Sequence, residues 1–346
     1  MQSLARPFPS IAVLATVVGS ALVAQAQVGC PPGRVLCRPA SLLLFPEIDD
    51  RQAGEENLFD ADGFDYLVTV TNTSSQSGVD VEFVYIDASS CLEFNRTEHL
   101  TANDTLSVIT RFHNPKATRG YLYVFAKSPT TGMPIAFDHL VGAELVYAAS
   151  QFGELDYSHK PFAFPAGPLV EGSVTDLDFD GIRDLDGLEY RRAPDELLIP
   201  RFMGQANQGT PQSDLILIAL SGGAAFSQTF VDFLVMNDNE ELFSSQTTFY
   251  CWTKRALLDL GTVYSNAFLQ STNHAPNEIL NWNQQETGWM RLNGQFAASP
   301  AATIIDPAIL AVLIERQGNG YASDLPFGYG AQDNGALLPH GLFGDP

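Results

Sequence analysis

At 346 residues the chain is long enough for about two domains. Its 18 Lys+Arg stand against 40 Asp+Glu, a net charge of −22, with lysine only at Lys116, Lys127, Lys160 and Lys254. A surface so poor in cations cannot neutralise a run of phosphates, which excludes the nucleic-acid-binding classes and argues against anionic membranes. A hydrophobic fraction of 45%, with 23 Phe and 11 Tyr, supports a packed core and argues against wholesale disorder.

Residues 1–26 read as a secretory signal peptide. Arg6 precedes an apolar run from Ile11 to Val23, and Ala24-Gln25-Ala26 supplies a small-residue cleavage site. The run is short for a bilayer and no later segment reaches that length, so no membrane span is expected. Cleavage near Ala26 would deliver the chain to the periplasm or the exterior, where disulfides form. Residues 27–39 make a short segment in which Cys30 and Cys37 bracket a turn-rich PPGRVL, so a local bridge is the simplest pairing. Cys91 and Cys251 are then left to pair with each other or to remain buried thiols.

From residue 40 to 165, period-two patterning predicts strands at Phe64 to Thr71, Val79 to Ile86, Thr105 to Phe112 and Gly120 to Ala126, separated by Asn, Ser, Gly and Pro clusters. Residues 196–346 repeat the style at Asp214 to Leu220, Thr229 to Met236, Thr247 to Trp252 and Ala308 to Glu315. No amphipathic helix of useful length is predicted; the best candidate lies around Leu257. The expected fold is all-β, two tandem antiparallel sandwiches. Several anchors suggest internal duplication: LLLFP (Leu42 to Pro46) with LLIP (Leu197 to Pro200), Asp65 with Asp214, and Val81-Glu82-Phe83 with Val231-Asp232-Phe233. Cys91 with Cys251, and Tyr121 to Gly142 laid on Ile309 to Gly330, extend the overlay. With its TNTS turn followed by VDVEF, the first unit resembles the immunoglobulin-like modules of bacterial surface proteins, an analogy of fold class alone.

Between the units, residues 166–195 form an acidic connector whose core reads DLDFDGIRDLDGLEY. Asp176, Asp178, Asp180, Asp184, Asp186 and Glu189 fall in fifteen positions, where the chain-wide frequency of 40 acids in 346 would place fewer than two. Packed carboxylates repel one another unless hydrated or bridged by a hard cation. Acids at alternate positions 1, 3 and 5, with glycine at 6 for the turn, can aim three carboxylates at one point. The stretch resembles the D-x-D-x-D-G calcium loops of EF-hands, dockerins and thrombospondin type 3 repeats, over about fourteen residues. Counted from Asp176, Asp184 falls at position 9 but Gly187 at 12, where a bidentate acid belongs. Counted from Asp178, Glu189 falls at 12 and the acid and glycine at 5 and 6 are lost. A loop two residues longer, closed by Glu189, reconciles the two. The resemblance implies a structural calcium ion holding the two sandwiches.

Catalytic signatures are missing: Ser221 lacks the preceding glycine of G-x-S-x-G, and the six histidines include no H-E-x-x-H. His139, beside Asp138, reads as structural. Trp282 and Trp289 flank Asn283, Gln284, Gln285 and Glu286, chemistry that suits stacking on a sugar, although tryptophan more often serves packing. Sequons stand at Asn72, Asn95 and Asn103. The expectation is a secreted, non-catalytic binding, adhesion or display protein with a carbohydrate or surface-protein ligand. The alternative is a polysaccharide-acting hydrolase using a carboxylate pair in a sheet cleft. A weaker third is a periplasmic assembly factor with an exposed strand edge.

Overall fold

Alternating apolar and polar side chains resolve into nineteen strands among the described residues of a computed structural model of the chain. It describes residues 38–51, 63–114, 116–148, 155–205, 212–221, 227–237, 240–270, 286–299, 303–317 and 320–331. The first half contributes β1 (Leu42–Asp49), β2 (Phe64–Asn72), β3 (Val79–Asp87), β4 (Glu93–Leu100), β5 (Thr105–Ile109), β6 (Arg119–Lys127), β7 (Leu140–Ala148), β8 (Leu155–His159) and β9 (Phe162–Phe164). The second contributes β10 (Glu196–Met203), β11 (Gln212–Ala219), β12 (Gln228–Asn237), β13 (Leu242–Phe249), β14 (Trp252–Ala256), β15 (Thr287–Ala298), β16 (Thr303–Ile305), β17 (Ile309–Gln317), β18 (Gly320–Asp324) and β19 (Phe327–Tyr329). The sheets are all-β and antiparallel, as the patterning predicts. Among the described residues no helix is long and apolar enough to cross a membrane.

Each half holds two sheets. The first half orders its strands β4-β3-β6-β1-β9 and β5-β2-β7-β8; the second orders them β13-β12-β15-β10-β19 and β14-β11-β17-β18. Replacing β1–β6 by β10–β15, and β7, β8 and β9 by β17, β18 and β19, converts one description into the other. Only β16, paired to β15, is additional among the described strands. The correspondence reaches local irregularity. The β1–β6 register slips between Phe45 and Ile48, and the β10–β15 register between Ile199 and Phe202. Both slips contain a proline, Pro46 and Pro200, whose missing N–H is tolerated where a bulge interrupts the ladder.

Three of the sequence anchors sit on equivalent strands: Leu42 to Pro46 with Leu197 to Pro200, Asp65 with Asp214, and Val81 to Phe83 with Val231 to Phe233. The other two do not. Cys91 precedes β4, whereas Cys251 follows β13; Tyr121 lies in β6, whereas Ile309 opens β17, the counterpart of β7. Two strand readings are also corrected. Thr110–His113 is a helical turn rather than the end of β5, and the run Thr247 to Trp252 breaks at Tyr250 and Cys251 between two strands.

The alternation of the strands assigns their faces. Leu43, Phe45, Val81, Phe83 and Val124 pack with Val68 and Val70 to fill the first sandwich. Leu215, Leu217, Ala311 and Leu313 pack with Val231, Phe233, Met290 and Leu292 to fill the second. A third cluster joins the halves, setting Leu42, Leu44, Val84, Tyr123 and Phe125 against Ile216, Ile218, Leu310 and Val312. The sheet containing β1 therefore buries both faces, as does the sheet containing β11, and the halves stack as four successive sheets. β1 is buried at every position, as expected of a strand covered on both sides, and opens on the continuous apolar run Leu42 to Phe45.

Polar links cross the same junction. Cys91 and Cys251 form a disulfide, the Trp252 indole N–H donates to the Pro46 carbonyl at 2.8 Å, and Lys254 reaches Glu47 at 2.6 Å. The connector packs beneath this seam. Arg183, Leu185, Tyr190 and Ala193 are each at most 2% exposed, and the last three belong to the cluster that joins the halves.

Candidate metal centre

The connector is tied at both ends by isolated β-bridges, Ile135 to Val174 and Ala166 to Tyr190. Between them the backbone turns through Phe179, Gly181 and Gly187, all at positive φ. Glycine meets that requirement at 181 and 187 without a Cβ penalty. Asp180 Oδ1 accepts from the Ile182 N–H at 2.7 Å, and Asp186 Oδ1 from the Leu188 N–H at 2.7 Å. These two carboxylates serve as turn formers.

Three of the six acids come together. One carboxylate oxygen from each of Asp176, Asp178 and Glu189 lies within 4.8 Å of the others. Calcium binds oxygen at about 2.3–2.6 Å, so two ligands on opposite sides of one ion stand about 5 Å apart, and the trio fits a single hard cation. Glu189 is the residue that closes the loop. Its carboxylate also accepts the Leu177 N–H at 2.5 Å and the Asp184 N–H at 3.3 Å, which fixes its reach across the turn. Asp176 is 5% exposed. One of its oxygens meets Arg183 at 3.3 Å, while Oδ1 is buried and accepts no hydrogen bond. The Arg183 guanidinium in turn lies 5.1 Å over the Phe125 ring, linking the loop to the junction core.

The electrostatics carry the mark of crowded carboxylates. Burial, followed by the charges of Asp180, Asp186 and Asp178, pushes Asp184 up to about 6. Burial pushes Glu189 up to about 7, against the backbone N–H groups it accepts. A dication among these oxygens would reverse both shifts. Asp184 thus adds charge beside the trio, whereas Asp180 and Asp186 shape the loop.

A second ionisable cluster, which the sequence reading missed, lies in the junction. Glu47 is wholly buried and accepts from the hydroxyls of Tyr66 at 3.0 Å and Tyr157 at 2.9 Å as well as from Lys254. His159 Nε2 stands 3.5 Å away. Burial raises the Glu47 carboxyl, but Lys254 and His159 outweigh it and hold it well below the usual carboxylate range. Glu144, also wholly buried, has neither oxygen hydrogen-bonded, and burial followed by the charge of Glu47 drives it well upward. An acid pair with opposed protonation is what general acid–base hydrolysis needs. Here both members are wholly buried.

Other singled-out residues have structural employment. Asp138 Oδ1 accepts from Ser41 Oγ and the Ala166 N–H, and His139 contacts Glu171 at 3.2 Å. The Asn72 amide is buried and donates to the Ser77 and Thr101 carbonyls, an arrangement that leaves no room for a glycan in the folded chain. Trp289 is a strand residue, 37% exposed on β15. Trp282, Cys30 and Cys37 lie outside the described residues. Comparison of the chain with protein-family models, with characterised proteins and with solved structures returns no match in any of the three.

Proposed function

We propose that this is a secreted, non-catalytic protein that acts by binding, adhesion or display, with a calcium ion holding the connector against its two stacked halves. The observation that carries the reading is the convergence of Glu189 on Asp176 and Asp178, which closes the D-x-D-x-D-G opening two residues later than an EF-hand would. The all-oxygen donor set suits a hard cation, and the Cys91–Cys251 bridge suits an oxidising compartment. Calcium here is structural. It would neutralise the loop that seats Arg183 over Phe125 and so stiffen the seam between the halves. The ligand is a carbohydrate or a surface protein rather than nucleic acid, in keeping with a net charge of −22.

The test is thermal unfolding of the full chain in millimolar calcium, in EDTA, and with Asp178→Asn/Glu189→Gln. A site with a dissociation constant a hundredfold below the free calcium adds about 2.7 kcal/mol. That should raise the melting temperature by several degrees, at about 2 °C per kcal/mol for a long chain. The double variant should lose the shift. Coincident curves in calcium and EDTA would reduce the acid cluster to a solvated turn.

A further inference from the structure

The outer face of the β13-β12-β15-β10-β19 sheet is the counterpart, strand for strand, of the β4-β3-β6-β1-β9 face that is buried in the junction. In the first half that face carries Leu44, Val84, Ile86, Tyr121, Phe162 and Phe164, none more than 2% exposed. Aligning the two proline bulges and the strand registers places Leu198, Leu234, Met236, Trp289, Phe327 and Tyr329 at the matching positions. The apolar chemistry of the interface is thus retained at these six positions, while Glu196, Arg291 and Asn293 replace Leu42, Tyr123 and Phe125 on the same face. Leu234 is 40% exposed, Trp289 37%, Phe327 43% and Tyr329 60%. These side chains form adjacent rows: Met236 stands beside Trp289, and Leu198 beside Phe327. An apolar platform of this kind on a sheet marks an interaction surface.

The opposite end of the stack identifies the occupant by contrast. The outer face of β5-β2-β7-β8 corresponds to the junction face of β14-β11-β17-β18, but Thr69 and Ala143 stand where Ile218 and Leu310 stand there. Thr69 pairs with Ser107 at 3.2 Å and Thr71 with Thr105 at 2.9 Å, a hydroxyl ladder of the sort that suits a terminal face in water. Head-to-tail stacking of chains would press the apolar platform onto that ladder. Two platforms meeting face to face instead bury apolar surface on both sides, and a two-fold contact uses one patch twice. Charge fits the same arrangement. Arg291 sits on the platform in an ion pair with Glu196, next to Leu234 and diagonal to Asp232. A two-fold contact can bring each copy's guanidinium among the other's acids, on a protein otherwise repelled by its own charge.

We propose that the chain associates with a second copy of itself through this face, as a closed dimer. The proposal is independent of the calcium site. Sedimentation velocity of the full chain in calcium, from about 1 to 100 µM, should show a reversible monomer–dimer equilibrium and no larger species. Leu234→Lys should weaken dimerisation at least about 100-fold, as expected for a central contact, with an unchanged melting temperature and circular dichroism. Thr69→Lys, on the opposite face, should leave the dimer intact, which separates loss of contact from general charge effects. A monomeric wild type throughout the range overturns the proposal. So does a dimer that survives Leu234→Lys, or a ladder of larger species that Thr69→Lys abolishes, the signature of head-to-tail stacking. Retention of a monomeric wild type on an insoluble polysaccharide, lost in Trp289→Ala, would overturn it in favour of carbohydrate.

Discussion

Lys254→Met isolates the charge that holds the two halves together. In the native seam Glu47 keeps a full charge at zero exposure because Lys254 approaches to 2.6 Å and two tyrosine hydroxyls donate to it. Methionine keeps most of the aliphatic stem and removes the ammonium, leaving a buried carboxylate without its main counter-charge. Breaking a buried pair from one side costs about 3–5 kcal/mol. Glu47→Gln should cost less, about 1–2 kcal/mol, because the Lys254 side chain is 16% exposed and can turn its head to water. The double variant should recover most of the loss, since neutral residues of similar volume satisfy the site nearly as well. Urea unfolding at pH 7.5 in constant calcium, followed by circular dichroism and fluorescence, should therefore give a coupling energy of about 3 kcal/mol or more between the two positions. Additive costs, or a Lys254→Met penalty under about 1 kcal/mol, would refute the view of this pair as a junction clamp.

The disulfide spans 160 residues of sequence, so the loop-entropy model assigns its removal a loss of about 5 kcal/mol. Cys91→Ala/Cys251→Ala should unfold at markedly lower urea than the wild type, and equal midpoints would show that the folded junction alone fixes the halves. For Glu144 the sign follows from its raised folded pKa. The native state holds a proton that the unfolded chain releases above about 4.5, so its contribution is complete at low pH and falls as pH rises. Glu144→Gln should match the wild type at pH 5 and exceed it at pH 8 in calorimetric melting temperature, whereas parallel curves would mean that Glu144 is ionised in the fold.

Fold class was legible because half-covered sheets leave period-two alternation in their strands, as in Phe64 to Thr71 and Thr229 to Met236. The duplication was only partly legible. Strand-opening landmarks such as Asp65 and Asp214 survive on equivalent strands, but apolar alternation ending in glycine recurs at many hairpins, so Tyr121 to Gly142 found a match on the wrong strand. At Tyr250 and Cys251 the aromatic run continues through a corner that carries no glycine or proline, and the break could not be seen locally. The connector's acids were evident from spacing, and the approach of Glu189 to Asp176 and Asp178 matches one of the registers that spacing allowed. The burial of Arg183 beneath those acids was hidden, because a charged, turn-rich segment reads as solvated wherever it lies. Glu47 did leave a signal: with Asp49 it is one of two acids in the otherwise apolar LLLFPEID, in a chain with four lysines to answer them. Reading that signal required knowing that β1 is covered on both faces.

The position of the Cys91–Cys251 bridge has a mechanical consequence. It closes a covalent short circuit around everything from β4 to β13. Tension applied at the two ends of the chain bypasses those strands and is carried by β1–β3 on one side and β14–β19 on the other. The 160 residues inside the bridge represent roughly 550 Å of extended chain that pulling cannot release while the cystine is intact. Six described strands of the first sandwich and four of the second are thereby shielded from load, and the strands that remain exposed to it include β1 and β14, which also carry the Glu47–Lys254 and Pro46–Trp252 contacts. A chain working between two attachments would yield first at the seam and still keep a covalently enclosed core.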